Sequence, residues 1–238
     1  SVVNALSEYM KVEVIRSGFL YRQEFSKGLP TTTLLKIEPT KKSNGTMITF
    51  KPDNTIFEET CTFSPEKIFK ILEYKAYLVA GVQINWKCDP SLLVENSNLP
   101  ISKKLCFLNG LPEYINFKTQ ATTMFTTSSF EANVSIDKET VEWAVRWFAE
   151  DESSFIESFC NTVPTPLGGT HELGFRQALT KGIRNFADIK GFKKASELIY
   201  DDLMLSTGSI LSVFIKDPQF QGQTKEKLVN SSTTKLVE

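Results

Sequence analysis

A single histidine, His171, is all that 238 residues offer for proton traffic near neutral pH. Cysteine is scarce too: Cys61, Cys88, Cys106 and Cys160 lie far apart, with no CxxC and no His-rich partner. That spacing argues against a structural zinc site. With no signal peptide, the four read as reduced, mostly buried thiols of a cytoplasmic protein. No run of about 18 apolar residues occurs, so no membrane span is expected. Net charge is lacking as well, with 27 basic residues against 28 acidic ones. The chain as a whole therefore has no basic field for strong non-specific nucleic-acid binding, although a local patch is compatible with this balance. The motifs GxxxxGK[ST], GxSxG, HExxH and GxGxxG are all missing, and no paired-carboxylate motif stands out.

What is present is a mixed pattern with enough apolar residues, 41%, for a sizeable core. "SVVNALSEYM" reads as part of a helix already under way, as in a chain cut from something longer. "VEVIRS" and "FLYRQEF" predict two strands around a turn at Ser17-Gly18. Short strands follow at Leu34–Ile37 and Thr46–Phe50. Ser64-Pro65-Glu66 predicts a helix start, with apolar periodicity to Leu78 and a stop at Gly81. "VQINWK" predicts a further strand. The stretch 89–123, with Pro90, Pro100 and Pro112, has the least pattern, and a domain boundary is placed near Lys118–Thr122. Beyond it, "EANVSI", "TVEWAVRWF" and "SSFIESFCNTV" read as successive antiparallel strands. A long helix carries Phe175, Leu179, Ile183 and Phe186 as its apolar stripe. Tyr200–Leu203 reads as a connector and Ser209–Lys216 as the last strand. The order implies an α+β protein rather than a doubly wound parallel sheet.

Three stretches could carry chemistry. In "FQGQTKEKL", Gln223 brings an amide and Lys225 three charged donors two residues on. Gly222 lets the backbone turn. Such a pair could clamp phosphate oxygens by charge-assisted hydrogen bonds, or be a solvated turn before a final helix. On spacing alone the turn is the commoner reading. "PLGGTHELGF" holds a glycine pair, Thr170 as an N-cap and Glu172 as a first-turn acid; His171 there reads as a structural residue bonding the loop. In "SNGTMITF", Thr46 could serve a ligand or a neighbouring strand.

Taken together, "SVVNALS", "NGTMITFKPDNTIF", "GGTHELGFRQALTKGIRNF" and "DPQFQGQTKEKL" resemble the ATPase region of B subunits of bacterial type IIA topoisomerases, in the family's order and across nearly the whole chain. "SFCNTVPTPLGGTHELGF" and "LMLSTGSILSVFI" resemble the topoisomerase IV branch more than the gyrase branch. The resemblance implies a two-domain α+β architecture. Residues 1–118 would be the rear of a GHKL-type ATPase sandwich, and 119–238 a transducer with the ribosomal-protein-S5-like fold. It implies ATP and Mg²⁺ as cofactors. Gln223 and Lys225 would meet the γ-phosphate, with Lys225 stabilising charge during hydrolysis. Thr46 and Ile48 would line the adenine end, Arg16 would sit at its rim where coumarin-type inhibitors bind relatives, and Ser1 would follow the ATP lid. The family's catalytic Glu, its Mg²⁺-binding Asn and the lid would lie upstream of Ser1. By that reading this chain alone does not hydrolyse ATP. Implied partners are DNA, the A subunit and a second B subunit. The rival readings are another GHKL ATPase, of mismatch-repair or chaperone type, and an S5-like RNA-binding module. The "GGTHELGFRQAL" block opposes the first. The balanced charge and the acidic "AEDESSF" tract oppose the second.

Overall fold

The computed structural model describes residues 2–58, 62–93, 98–149 and 154–238. The chain divides into two compact units, Ser1–Ser64 and Pro65–Glu238. The expected boundary near Lys118–Thr122 falls inside the second of these.

The first unit opens with a single helical turn, α1 (Val2–Ala5), and passes at once into a long strand, β1 (Ser7–Arg16). The helix read from the first ten residues is thus only one turn. Tyr9, Val12, Val14 and Ile15 are β-branched or aromatic and suit a pleated surface better than a helix. β1 pairs with β2 (Phe19–Ser26) through a tight turn at Ser17 and Gly18, both at positive φ. That backbone matches the strand twist, and Gly18 adopts it without a Cβ clash. β3 (Leu29–Pro30) and β4 (Leu35–Pro39) both pair with β2, and β5 (Gly45–Pro52) with the other side of β1. Burial is sparse in this unit. Met10 is its one buried apolar residue among those described, while Leu34, Met47 and Ile48 are exposed. Polar ties contribute instead. Arg22 donates to the buried Glu13 at 2.7 Å and holds that carboxyl below the usual range. Lys27 lies 3.0 Å from Asp53, whose carboxylate also accepts from Thr55.

The second unit begins with α2 (Pro65–Leu78), as the Pro and the apolar spacing predict. A two-stranded ribbon follows, β6 (Ile84–Lys87) and β7 (Ser102–Leu105), with a short 3₁₀ turn at Pro90–Leu92 between them. The stretch with least pattern also holds a helix, α3 (Leu111–Lys118), with Pro112 in its first turn. Its start is fastened from outside: the half-buried Glu142 accepts from the Leu111 N–H.

The main sheet has β8 (Phe130–Ile136), β9 (Glu139–Trp147), β10 (Phe155–Cys160), β11 (Val163–Pro164) and β12 (Thr207–Phe214). Its order is β11-β10-β12-β9-β8. The expected run of successive antiparallel strands is therefore corrected. β8 and β9 do pair antiparallel, but β12 inserts between β9 and β10 and runs parallel to β10. A parallel neighbour needs a crossover, and α4 (Thr170–Ile189) supplies it. The connector at Tyr200 is a short helix, α5 (Tyr200–Met204), and α6 (Ser231–Val237) follows the last strand.

Helices cover both faces of this sheet. On one face Val141, Val145, Leu211 and Val213 meet Phe175 and Leu179 of α4. On the other, Ala144, Phe159 and Ile210 meet Tyr77, Leu111 and Ile115 of α2 and α3. This explains why β12 is buried along nearly its whole length rather than on alternate residues. Cys88 and Cys160 are buried free thiols and Cys106 is partly buried, while Cys61 lies outside the described residues. No described helix is long and apolar enough to cross a membrane.

Candidate functional site

In the first unit the candidate residues share one patch of sheet. Val12 faces Ile48 and Val14 faces Thr46 across the β1–β5 pair, and Arg16 is two residues beyond Val14. Alternation places all five on one face. The result is an apolar floor with a hydroxyl in it and a guanidinium at its end. Ile48 is 58% exposed, so this floor is open to a flat apolar group. Ser1 lies outside the described residues.

In the second unit, Gln223 and Lys225 occupy the tip of a hairpin. The strand pairing of β12 ends at Phe214, and beyond Asp217 and Pro218 the chain doubles back on itself. The Val229 N–H donates to Gln219 O at 2.9 Å, and the Gln221 N–H to Lys227 O at 2.9 Å. Asn230 closes the base, accepting from the Gln219 N–H and donating to Asp217 O. Gly222 and Lys225 both take positive φ, so the tip turns sharply. Gln223, Thr224 and Lys225 are all exposed. Thr224 Oγ1 is turned to Glu226, at 3.0 Å, while the Lys225 ammonium has no carboxylate within ion-pair reach among the described residues. A pinned backbone carrying an uncompensated cation suits an incoming anion.

The outer side of this hairpin is fastened to the loop before α4. The Leu167 N–H donates to Glu226 O, Leu228 N–H to Gly168 O and Thr170 N–H to Leu228 O, each at 3.0 Å. Leu228 is fully buried, bridged to Phe220 on one side and Gly169 on the other. Thr170 is therefore not the N-cap of α4. Gly169 occupies that place, and the Thr170 amide is used to hold the hairpin. Glu172 is the first-turn acid of α4, as expected, and it also accepts from Ser158 of β10 at 2.6 Å. His171 has the structural role expected of it. It is fully buried, with Nε2 3.0 Å from Thr165 Oγ1, and burial drives its pKa down to about 4. The ring is thus neutral at pH 7. Leu167, Gly168, Thr170 and Leu228 support the hairpin and are invisible to spacing arguments, since they act through backbone atoms. The glycine pair was the one available signal.

The sequence model of the family described as DNA gyrase B matches residues 110–238. Among curated proteins, the B subunit of DNA topoisomerase 4 from Caulobacter vibrioides is 45% identical over all of this chain and 34% of its own length. The protein of the same description from Escherichia coli is 34% identical over 96% of the chain and 35% of its own length. The chain thus spans about a third of these relatives. Among solved structures, the 43K ATPase domain of Thermus thermophilus gyrase B in complex with an aminocoumarin superposes with a TM-score of 0.80 at 29% identity, covering 98% of this chain and 61% of that one. The topoisomerase IV ATP binding domain of Francisella tularensis, in complex with a small-molecule inhibitor, gives 0.79 at 28% identity, covering 99% and 62%.

Proposed function

Since this chain belongs to the DNA gyrase B family, with the α+β fold of its GHKL-type ATPase region, we propose that it is the nucleotide-responsive part of a bacterial type II topoisomerase B subunit, of the topoisomerase IV branch. The observation that carries this reading is the exposed Lys225, without an ion-pair partner among the described residues, on a backbone-pinned hairpin in a chain whose relatives are B subunits of such enzymes. Gln223 and Lys225 are assigned to the γ-phosphate of ATP. Lys225 stabilises the charge that develops there as the phosphoryl group is transferred to water. Thr46 and Ile48 are assigned to the adenine end, Arg16 to its rim and Ser1 to the segment after the lid. Residues 1–118 are read as the rear of the ATPase domain and 119–238 as the transducer.

Mg²⁺ is assigned to the complete enzyme. The general base and Mg²⁺ ligand are likewise assigned outside these 238 residues, which by themselves do not turn over ATP. In the complete enzyme, ATP binding joins two B subunits around a captured DNA segment, and hydrolysis is relayed through Lys225 to strand passage with the A subunit, in the cytoplasm. The test is reconstitution of the complete B subunit with its A subunit on linked DNA rings. ATP-dependent unlinking is expected. ATP-dependent negative supercoiling would move the assignment to the gyrase branch, and no ATP-dependent change in DNA topology would overturn it.

A further inference from the structure

The turn between β11 and α4 has more polar structure than a helix start needs. Gly169 lies so close to the lysine hairpin that a Cβ there would stand 2.1 Å from Leu228 O and 2.7 Å from Leu228 N. No side chain fits that gap. Its φ of 141° adds strain for any L-residue. The close approach is what allows Leu167, Gly168 and Thr170 to exchange backbone hydrogen bonds with Glu226 and Leu228.

The turn is itself tied to the sheet. Thr165 N–H donates to Ser158 O at 2.8 Å, and the two hydroxyls meet at 2.6 Å. Thr165 Oγ1 also meets His171 Nε2, and Ser158 Oγ reaches Glu172. Ser158, Thr165 and His171 are each 5% exposed or less. Hydroxyls so deeply buried are costly unless all of them bond, so the group tolerates few alternative arrangements. From β10 to Lys225 there is thus a continuous path: Ser158, Thr165, the 167–170 backbone, Leu228, and the hairpin tip.

We propose that Gly169 and Thr165 are positioning residues for Lys225. The Ser158–Thr165–His171 group fixes the turn on β10, and the side-chain-free face of Gly169 lets that turn hold the hairpin in register, so the ammonium is preset rather than recruited from solvent. This rests on the assignment of Lys225 to the γ-phosphate. Presetting matters because a charge aimed in advance needs no reorganisation as the reaction proceeds.

The test uses the complete B subunit with its A subunit. It compares Lys225→Ala, Gly169→Ala, Thr165→Val and Thr165→Ser for ATP turnover and for affinity toward ADP and a non-hydrolysable ATP analogue. Gly169→Ala is expected to lower kcat about a hundredfold, approaching the effect of Lys225→Ala. Thr165→Val, which removes one shared hydroxyl, is expected to lower it about tenfold, with Thr165→Ser restoring most of the loss. Affinity for the ATP analogue falls, while affinity for ADP, which lacks the γ-phosphate, stays unchanged. Adding Gly169→Ala to Lys225→Ala brings no further loss. Should Gly169→Ala not fold, the Thr165 pair decides alone. A silent Lys225→Ala would end the assignment of the phosphate contact, and this inference with it. If Lys225→Ala is impaired but the Gly169 and Thr165 variants retain wild-type kcat, the positioning role is wrong. An equal loss of ADP and analogue affinity would also sink it, since that marks general damage.

Discussion

The ammonium of Lys225 stands 6.0 Å from the centre of the Phe220 ring, across the arms of one hairpin. The ring guides the cation weakly, by the attraction of its negative face, without neutralising it. The charge therefore stays available at the tip. Lys225→Ala in the complete enzyme is expected to depress ATP turnover by about 10²–10³-fold while leaving DNA affinity in place, because it removes a contact made to developing charge. Steady-state ATPase and DNA-binding titrations check this.

Leu228 is the hairpin's apolar plug, fully buried, with its N–H and its carbonyl both bonded to the turn before α4. Leu228→Ala leaves those backbone bonds possible but empties the space beneath them. A stability loss of about 2–5 kcal/mol is expected, measurable as a lowered midpoint in denaturant unfolding of the chain.

Burial of His171 makes stability pH-dependent. Its folded pKa of about 4 lies below the ordinary 6.5. Between those values the unfolded chain binds the proton and the folded one does not. The neutral ring's contribution is complete above about pH 6.5 and is lost as pH falls through 4, amounting to at most about 3 kcal/mol. His171→Gln should flatten the stability profile in that window. An unchanged slope would show that other groups are responsible.

Arg16 ends β1 beside the floor formed by Val12, Val14, Thr46 and Ile48. A relative of this fold is solved with an aminocoumarin. If the proposed assignment of Arg16 to the rim of the adenine end holds, Arg16→Ala in the complete B subunit is expected to weaken aminocoumarin binding about ten- to a hundredfold, the loss of one or two charged hydrogen bonds, with a smaller effect on ATP. Calorimetry with each ligand separates the two.

Local chemistry made much of this fold legible. Ser17-Gly18 announced a hairpin, and Pro65 with the apolar spacing announced α2. The tight turn at Asn161-Thr162 lies inside a stretch that reads as one strand, because residues with side chains occupy positive φ there and carry no glycine signal. α3 was hidden by its own proline, Pro112, and is held by Glu142, which lies on a strand 31 residues after Leu111. The place of β12 was likewise unreadable: an apolar run shows that a strand is buried, but not which strands lie beside it. At the candidate site, Gln223 and Lys225 were visible as donors. Their support was not, since Gly168, Thr170 and Leu228 contribute amides and carbonyls that every residue possesses.

The insertion of β12 between two earlier strands also orders the events of folding. β10 cannot find its parallel partner until the crossover through α4 is complete, so Ala144 waits for Ile210 and Ser158 for Leu211. Such distant pairings close slowly. The lysine hairpin leaves directly from the end of β12, and Leu228 can seat only against a turn already anchored on β10. Assembly thus runs from core to tip. A half-folded chain holds no Lys225 in place.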